Sequence, residues 1–294
     1  MPVMLLLLVL ILLYTFQSLF TKLFSQNYAG PEKALSTSVF SICYGCFIGL
    51  ATLAMNGFEF TFVWQTIALG LINALMLWLY NVSLIEAGNR GSYAFLMLCM
   101  LFGGIVVPMV AGVLFLGETL TLTQSIAIGV MLIAFVMMNA RGLSFKGASG
   151  QYYLWCLLLF LSNGIYGALM NVQESLMGPS LNSEMIVSIY LGTALMVSAS
   201  HLVRGEGARL ARGFRMGGRA ALFALGSCVV ATLAANLCMY LLGLMDASIL
   251  YTIDNGGVLV MSALFSCLFF HERLRWEQVL GIGLAVASIV LISL

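Results

Sequence analysis

The chain has 294 residues, of which 62% are hydrophobic and only 8% charged, and its formal net charge is +1. A soluble domain carries roughly 25% charged residues, so this composition implies lipid as the solvent. The small net charge gives no electrostatic basis for a nucleic-acid partner.

A helix that crosses a bilayer needs about 20 mostly apolar residues. Ten such stretches follow in chain order, which predicts an all-α integral membrane protein. The first half holds 3–25, 34–55, 64–86, 92–116 and 121–140. The first stretch lacks both the charged leader and the small-residue cleavage site of a signal peptide, so it reads as a retained span. Ala29-Gly30-Pro31, Asn56-Gly57 and Asn89-Arg90-Gly91 supply turn residues at the breaks. The second half holds 151–173, 184–203, 219–243, 247–270 and 276–293, with Gly178-Pro179 and Arg204-Gly205 at two breaks. The longest polar stretch, 204–219, reads as a loop.

The segments GETLTLTQ, starting at Gly117, and HERLRWEQ, starting at His271, repeat each other at an offset of 154 residues. The offset places Glu118 on Glu272, Leu120 on Leu274, Gln124 on Gln278, Gly103 on Gly257 and Gly129 on Gly283. Residues 1–140 and 151–294 are therefore expected to be two related halves, joined by a connector at 141–150. Five spans is an odd number, so halves joined in series insert with opposite orientations. The expected architecture is ten helices in two inverted five-helix repeats, with a pocket at the repeat interface.

All twelve basic residues fall at alternate loops, from Lys22 and Lys33 through Arg90, Arg141 and Lys146 to the five arginines of 204–219 and to Arg273 and Arg275. The positive-inside rule assigns those loops to the cytoplasm and both termini to the outside.

Asp254 is the one acidic residue well inside a predicted span, in the run YTIDNGG. A charge at mid-bilayer costs roughly 2.5–3.5 kcal/mol on insertion scales, so such a carboxyl is expected to face a cavity. It would carry a proton or balance a cationic substrate there, or else be held protonated in a structural hydrogen bond. Its repeat counterpart is Met100. Polar side chains in spans point inward, because lipid offers them no partner. The same pocket therefore has Tyr14, Gln17, Asn73, Trp78, Tyr80, Asn81, Asn163, Tyr166, Asn171, Asn236, Tyr240, Tyr251 and Asn255 as candidate lining, with interhelical bonding the competing role for each. Glu118 and Glu272 sit at loop positions and are expected to accept hydrogen bonds from the start of the next helix, in a structural or gating role. Gly45 and Gly49 form a close-packing spacing, used within the chain or in a homodimer. The seven cysteines lie in apolar runs without metal-ligand company, so no metal, cofactor or disulfide framework is expected.

The run IVVPMVAGVLFLGETLTLTQSIAIGVMLIAFVMMN, with Pro108, Gly117, Glu118, Gln124 and Gly129, resembles the EamA-like branch of the drug/metabolite transporter superfamily. Its second copy keeps Glu272, Gln278, Gly281 and Gly283. The first stretch departs from the branch, reading LLYTFQSLFTK where Trp-Gly is usual. The resemblance implies a secondary carrier of small organic solutes, commonly an exporter, in a bacterial-type inner membrane. It also covers lipid-linked carriers, so a lipid flippase is the alternative. Many members keep both termini in the cytoplasm, opposite to what the charges here indicate. An intramembrane enzyme is disfavoured, since the spans hold no metalloprotease, two-aspartate or Ser-His pattern, and no phosphate-binding loop is present for ATP-driven pumping.

Overall fold

The computed structural model describes residues 3–140, 149–270 and 275–292. Among these, all regular structure is helical: α1 Val3–Asn27, α2 Ser36–Met55, α3 Trp64–Gly88, α4 Tyr93–Phe115, α5 Leu122–Asn139, α6 Gly150–Met177, α7 Asn182–Val203, α8 Gly207–Gly213, α9 Gly218–Leu242, α10 Ala247–Phe270 and α11 Trp276–Ile292. Nine of the described helices are long and apolar enough to cross a membrane. The chain is thus a multi-pass integral membrane protein. The predicted span at 276–293 corresponds to α11, which has 17 residues. At 1.5 Å per residue it is about 26 Å long, close to the lower limit for a span.

Two helices share a glutamine bond at their start, within the repeated motif. Thr121 caps α5 by accepting from the Gln124 amide at 3.2 Å, while the Gln124 side chain accepts from the Thr121 amide at 2.9 Å. At α11 the Gln278 side chain accepts from the Arg275 amide at 3.0 Å. The matched glutamines thus do the same job, satisfying amide donors that a helix start leaves open.

The chain divides into two compact units. The first comprises Met1–Ile11, Leu79–Ser175 and Leu241–Leu294, and the second Leu12–Trp78 and Leu176–Tyr240. Each draws on both halves of the sequence, so compactness does not follow the division at 141–150.

In the first unit α4 and α6 approach backbone to backbone. A side chain at Gly103 would strike the Phe160 carbonyl, and one at Gly164 would strike Val107 and the Gly103 carbonyl. α5 and α11 meet where Gly281 faces Met138, and Ser288 Oγ donates to the Ala127 carbonyl at 2.6 Å. In the second unit Gly45 and Gly49 lie against Tyr190, Leu191 and Ala194 of α7. Their spacing is used inside the chain, for the α2–α7 contact.

The stretch 204–219 is not simply a loop. Seven residues are too few for a stable isolated helix, so tertiary contacts must hold α8. Leu210 is buried with Val39, Ile42 and Val197, and Tyr28 Oη donates to the Gly213 carbonyl at 2.6 Å. Arg212 and Arg209 bond to Glu32 at 2.8 and 3.3 Å, and Arg209 also reaches Glu206 at 2.9 Å. Glu206 meets His201 Nδ1 at 2.8 Å. The Arg212 hydrogen bond, aided by Arg209, holds the Glu32 carboxyl below its ordinary value, and His201 does the same for Glu206. Carboxyls depressed on folding contribute stability above their unfolded values and lose it as pH falls through the folded ones. Acidification through the carboxyl range of Glu32 and Glu206 therefore loosens α8 before the spans. Hydrogen exchange of the Leu210 amide checks this, and unchanged protection across that range contradicts it.

Candidate functional site

Asp254 lies on α10 with 8% of its surface exposed, and its Oδ1 has no hydrogen-bond partner among the described residues. A buried acceptor left unmade costs roughly 1–3 kcal/mol. The surrounding helix is shaped by its glycines: Gly256 faces Met131 of α5, and Gly257 faces Ile11 of α1 at a distance only a missing side chain allows.

Further candidates lie in the same unit. Asn255 Nδ2 donates to the Tyr251 carbonyl at 2.8 Å, and Tyr251 Oη donates to the Gly167 carbonyl of α6 at 3.1 Å. Asn163 Nδ2 donates to the Met100 carbonyl of α4 at 2.8 Å, and Tyr80 Oη to Met100 Sδ at 3.0 Å. A side chain at Gly104 would sit 2.9 Å from the Asn163 amide and 3.6 Å from that of Asn255. The absence of a side chain at Gly104 thus leaves room beside both amides. Met100, the repeat counterpart of Asp254, is where Tyr80 and Asn163 converge. Asn81 and Tyr166 are half-buried in this unit.

Tyr14, Gln17, Asn73, Trp78, Asn236 and Tyr240 belong to the second unit. Gln17 Nε2 donates to Tyr44 Oη at 2.8 Å, tying α1 to α2. Asn236 Nδ2 donates to Thr52 Oγ1 at 3.0 Å and to the Thr232 carbonyl at 2.9 Å, tying α9 to α2. These are interhelical bonds. Asn73 is fully buried, Tyr14 half-buried, and Tyr240 is 57% exposed. Sequence reasoning passed over the partners Tyr44 and Thr52, whose hydroxyls within the span α2 were the available signal.

Glu118 departs from its expected partner. α5, the next helix, caps itself with Thr121. Glu118 instead accepts from the Ala247 and Ser248 amides at 3.2 and 3.3 Å, from Ser248 Oγ, and from Asn171 Nδ2 at 2.7 Å. It thus serves the start of α10 and the side of α6. Gly117 has φ +74°, the left-handed turn that aims Glu118 there, and Gly112 leaves space for its carboxyl. Pro108 lies inside α4 against Gly167. Glu272 lies outside the described residues.

The sequence model of the EamA-like transporter family matches residues 152–294. That half of the chain belongs to the EamA-like transporter family. It contains α6 from its first turn through α11, and so carries Asp254, Asn255, Tyr251 and Asn163. The whole fold is also found elsewhere. A solved crystal structure of a protein superposes with a TM-score of 0.73 at 17% identity, over 99% of this chain and 98% of the other. At that identity the likeness concerns the fold alone. No curated protein is similar enough in sequence to match.

Proposed function

We propose that this EamA-like chain is a secondary active transporter of a small organic metabolite or drug, working as an exporter by alternating access. Its ten apolar helices act as two inverted five-helix repeats, and Asp254 couples flux to protons. The observation that carries the reading is a buried carboxyl whose Oδ1 has no hydrogen-bond partner among the described residues, beside two glycines of α10 and with Tyr251 and Asn255 on the same helix. Such a group is costly to keep and gains its use by binding a proton or a cation as a pocket opens. Aromatic rings beside a carboxylate also suit an organic cation.

The test is a thermal-shift screen of the purified protein against amino acids, organic cations, nucleotides and sugars, each at two pH values. A ligand that binds only the folded state raises apparent stability by mass action. The expected result is one stabilising class whose effect is lost in Asp254→Asn. A stabilising class that Asp254→Asn leaves untouched contradicts the site.

A lipid flippase is the second reading. An apolar groove of about 230 Å³ lined by Val106, Val107, Val110, Ala111, Phe115 and Phe160 is wide enough for part of an acyl chain. Stabilisation by lipids and by no soluble class favours it.

The proposed location is the cytoplasmic membrane of a bacterial-type cell, with both termini outside. A cysteine placed at Ala208, an exposed position of α8, will then react in intact cells only with a membrane-permeant reagent. Labelling by an impermeant reagent reverses the orientation.

A further inference from the structure

Among the described residues, the side chain of Asp246 makes no capping bond at the start of α10. Asp246 stands where a capping residue is expected, and its carbonyl accepts from the Leu250 amide at 3.0 Å. Burial and the nearby Glu118 charge hold the Asp246 carboxyl above its ordinary value. The open amides of Ala247 and Ser248 are instead taken by Glu118, which comes from the α4–α5 turn 129 and 130 residues away. The same carboxyl accepts from Asn171 of α6, and Ser248 Oγ adds a further bond to it. One side chain thereby joins the α4–α5 turn, α6 and the first turn of α10. Asp254 lies six residues beyond Ser248 on that helix, about 9 Å along its axis.

We infer that Glu118 is a positioning residue for Asp254: by capping α10 from a distant turn it sets where that helix starts and so where its buried carboxyl sits. The inference rests on Asp254 being the proton-carrying group. It gives the repeated Gly-Glu motif a task in the first unit beyond ending α4, and it predicts that the motif acts on a helix of the other sequence half.

The experiment compares wild type, Glu118→Ala and Thr121→Ala in proteoliposomes. Thr121→Ala is the control. It removes the local cap of α5 at the same turn, at a similar cost in stability, and leaves the α10 amides bonded. Two readouts are used. Hydrogen exchange of the Ala247 and Ser248 amides in Glu118→Ala rises about fivefold, the factor expected for a lost helix cap; in Thr121→Ala it stays at the wild-type rate. Dicyclohexylcarbodiimide, which labels protonated carboxyls in apolar surroundings, is followed at Asp254 by mass spectrometry across pH. Its midpoint shifts by about half a unit or more in Glu118→Ala and stays in place in Thr121→Ala. A normal wild-type profile that both variants share, or shift equally, overturns the role of Glu118 alone. No pH-dependent labelling of Asp254 in wild type overturns the proton-carrier reading, and with it the object that Glu118 would position.

Discussion

Asp254→Asn abolishes pH-dependent flux while leaving the protein folded, and Asp254→Leu yields a chain that is inert and more stable than wild type. The second effect follows from the buried Oδ1, which has no hydrogen-bond partner among the described residues. Replacing it with an apolar group removes a desolvation cost of about 1–3 kcal/mol. In a protein of this size each kcal/mol moves the melting temperature by roughly 2–4 °C. Thermal unfolding in detergent and flux in proteoliposomes measure the two sides. A native group that costs stability and is needed for activity is the signature of a functional residue. Strong destabilisation by leucine would instead mean that the carboxyl fills a structural bond in the bilayer.

The other large effect is expected at the α4–α6 crossing. Gly103→Leu and Gly164→Leu each force a side chain into a backbone carbonyl and neighbouring atoms that cannot rotate away. Overpacking of this kind costs about 1–3 kcal/mol even where side chains can yield, and here the obstacle is main chain. Both variants should lose most folded protein, seen as aggregation in size-exclusion chromatography. Gly129→Leu, where nothing lies within 4 Å, serves as the control and should remain monodisperse. Tolerance of leucine at Gly103 would show that the two helices do not touch there in the bilayer.

Much of the local structure was legible in the chain. Hydropathy located the helices, and Gly-Pro and Asn-Gly pairs located their ends, because bilayer thickness and turn stereochemistry act on neighbouring residues. The matched Gln124 and Gln278 were legible for the same reason, as each bonds three residues away. Partners distant in sequence were not. Glu118 was expected to serve the adjacent α5, yet Thr121 already closes that helix, and the carboxyl reaches α10. Nothing in periodicity reports a bond between positions 118 and 247. α8 escaped notice because burial of Leu210 and bonds to Glu32 hold it, against a weak intrinsic tendency. The compact units likewise arise from packing between helices of both halves, which a repeat at one offset does not reveal. Asp254 stood out from the start because a carboxyl in an apolar run is rare. Asn163 and Asn255, far apart in sequence, both approach the space left at Gly104.

The central claim is that Asp254 takes up and releases protons as a solute crosses. Proteoliposomes loaded with a pH-sensitive dye, and given the ligand class that stabilises the purified protein, test it most directly. Wild type is predicted to change internal pH when that ligand is added, and Asp254→Asn is predicted to give no change. An equal proton signal from the variant, or solute flux in wild type with no proton movement, would contradict the account.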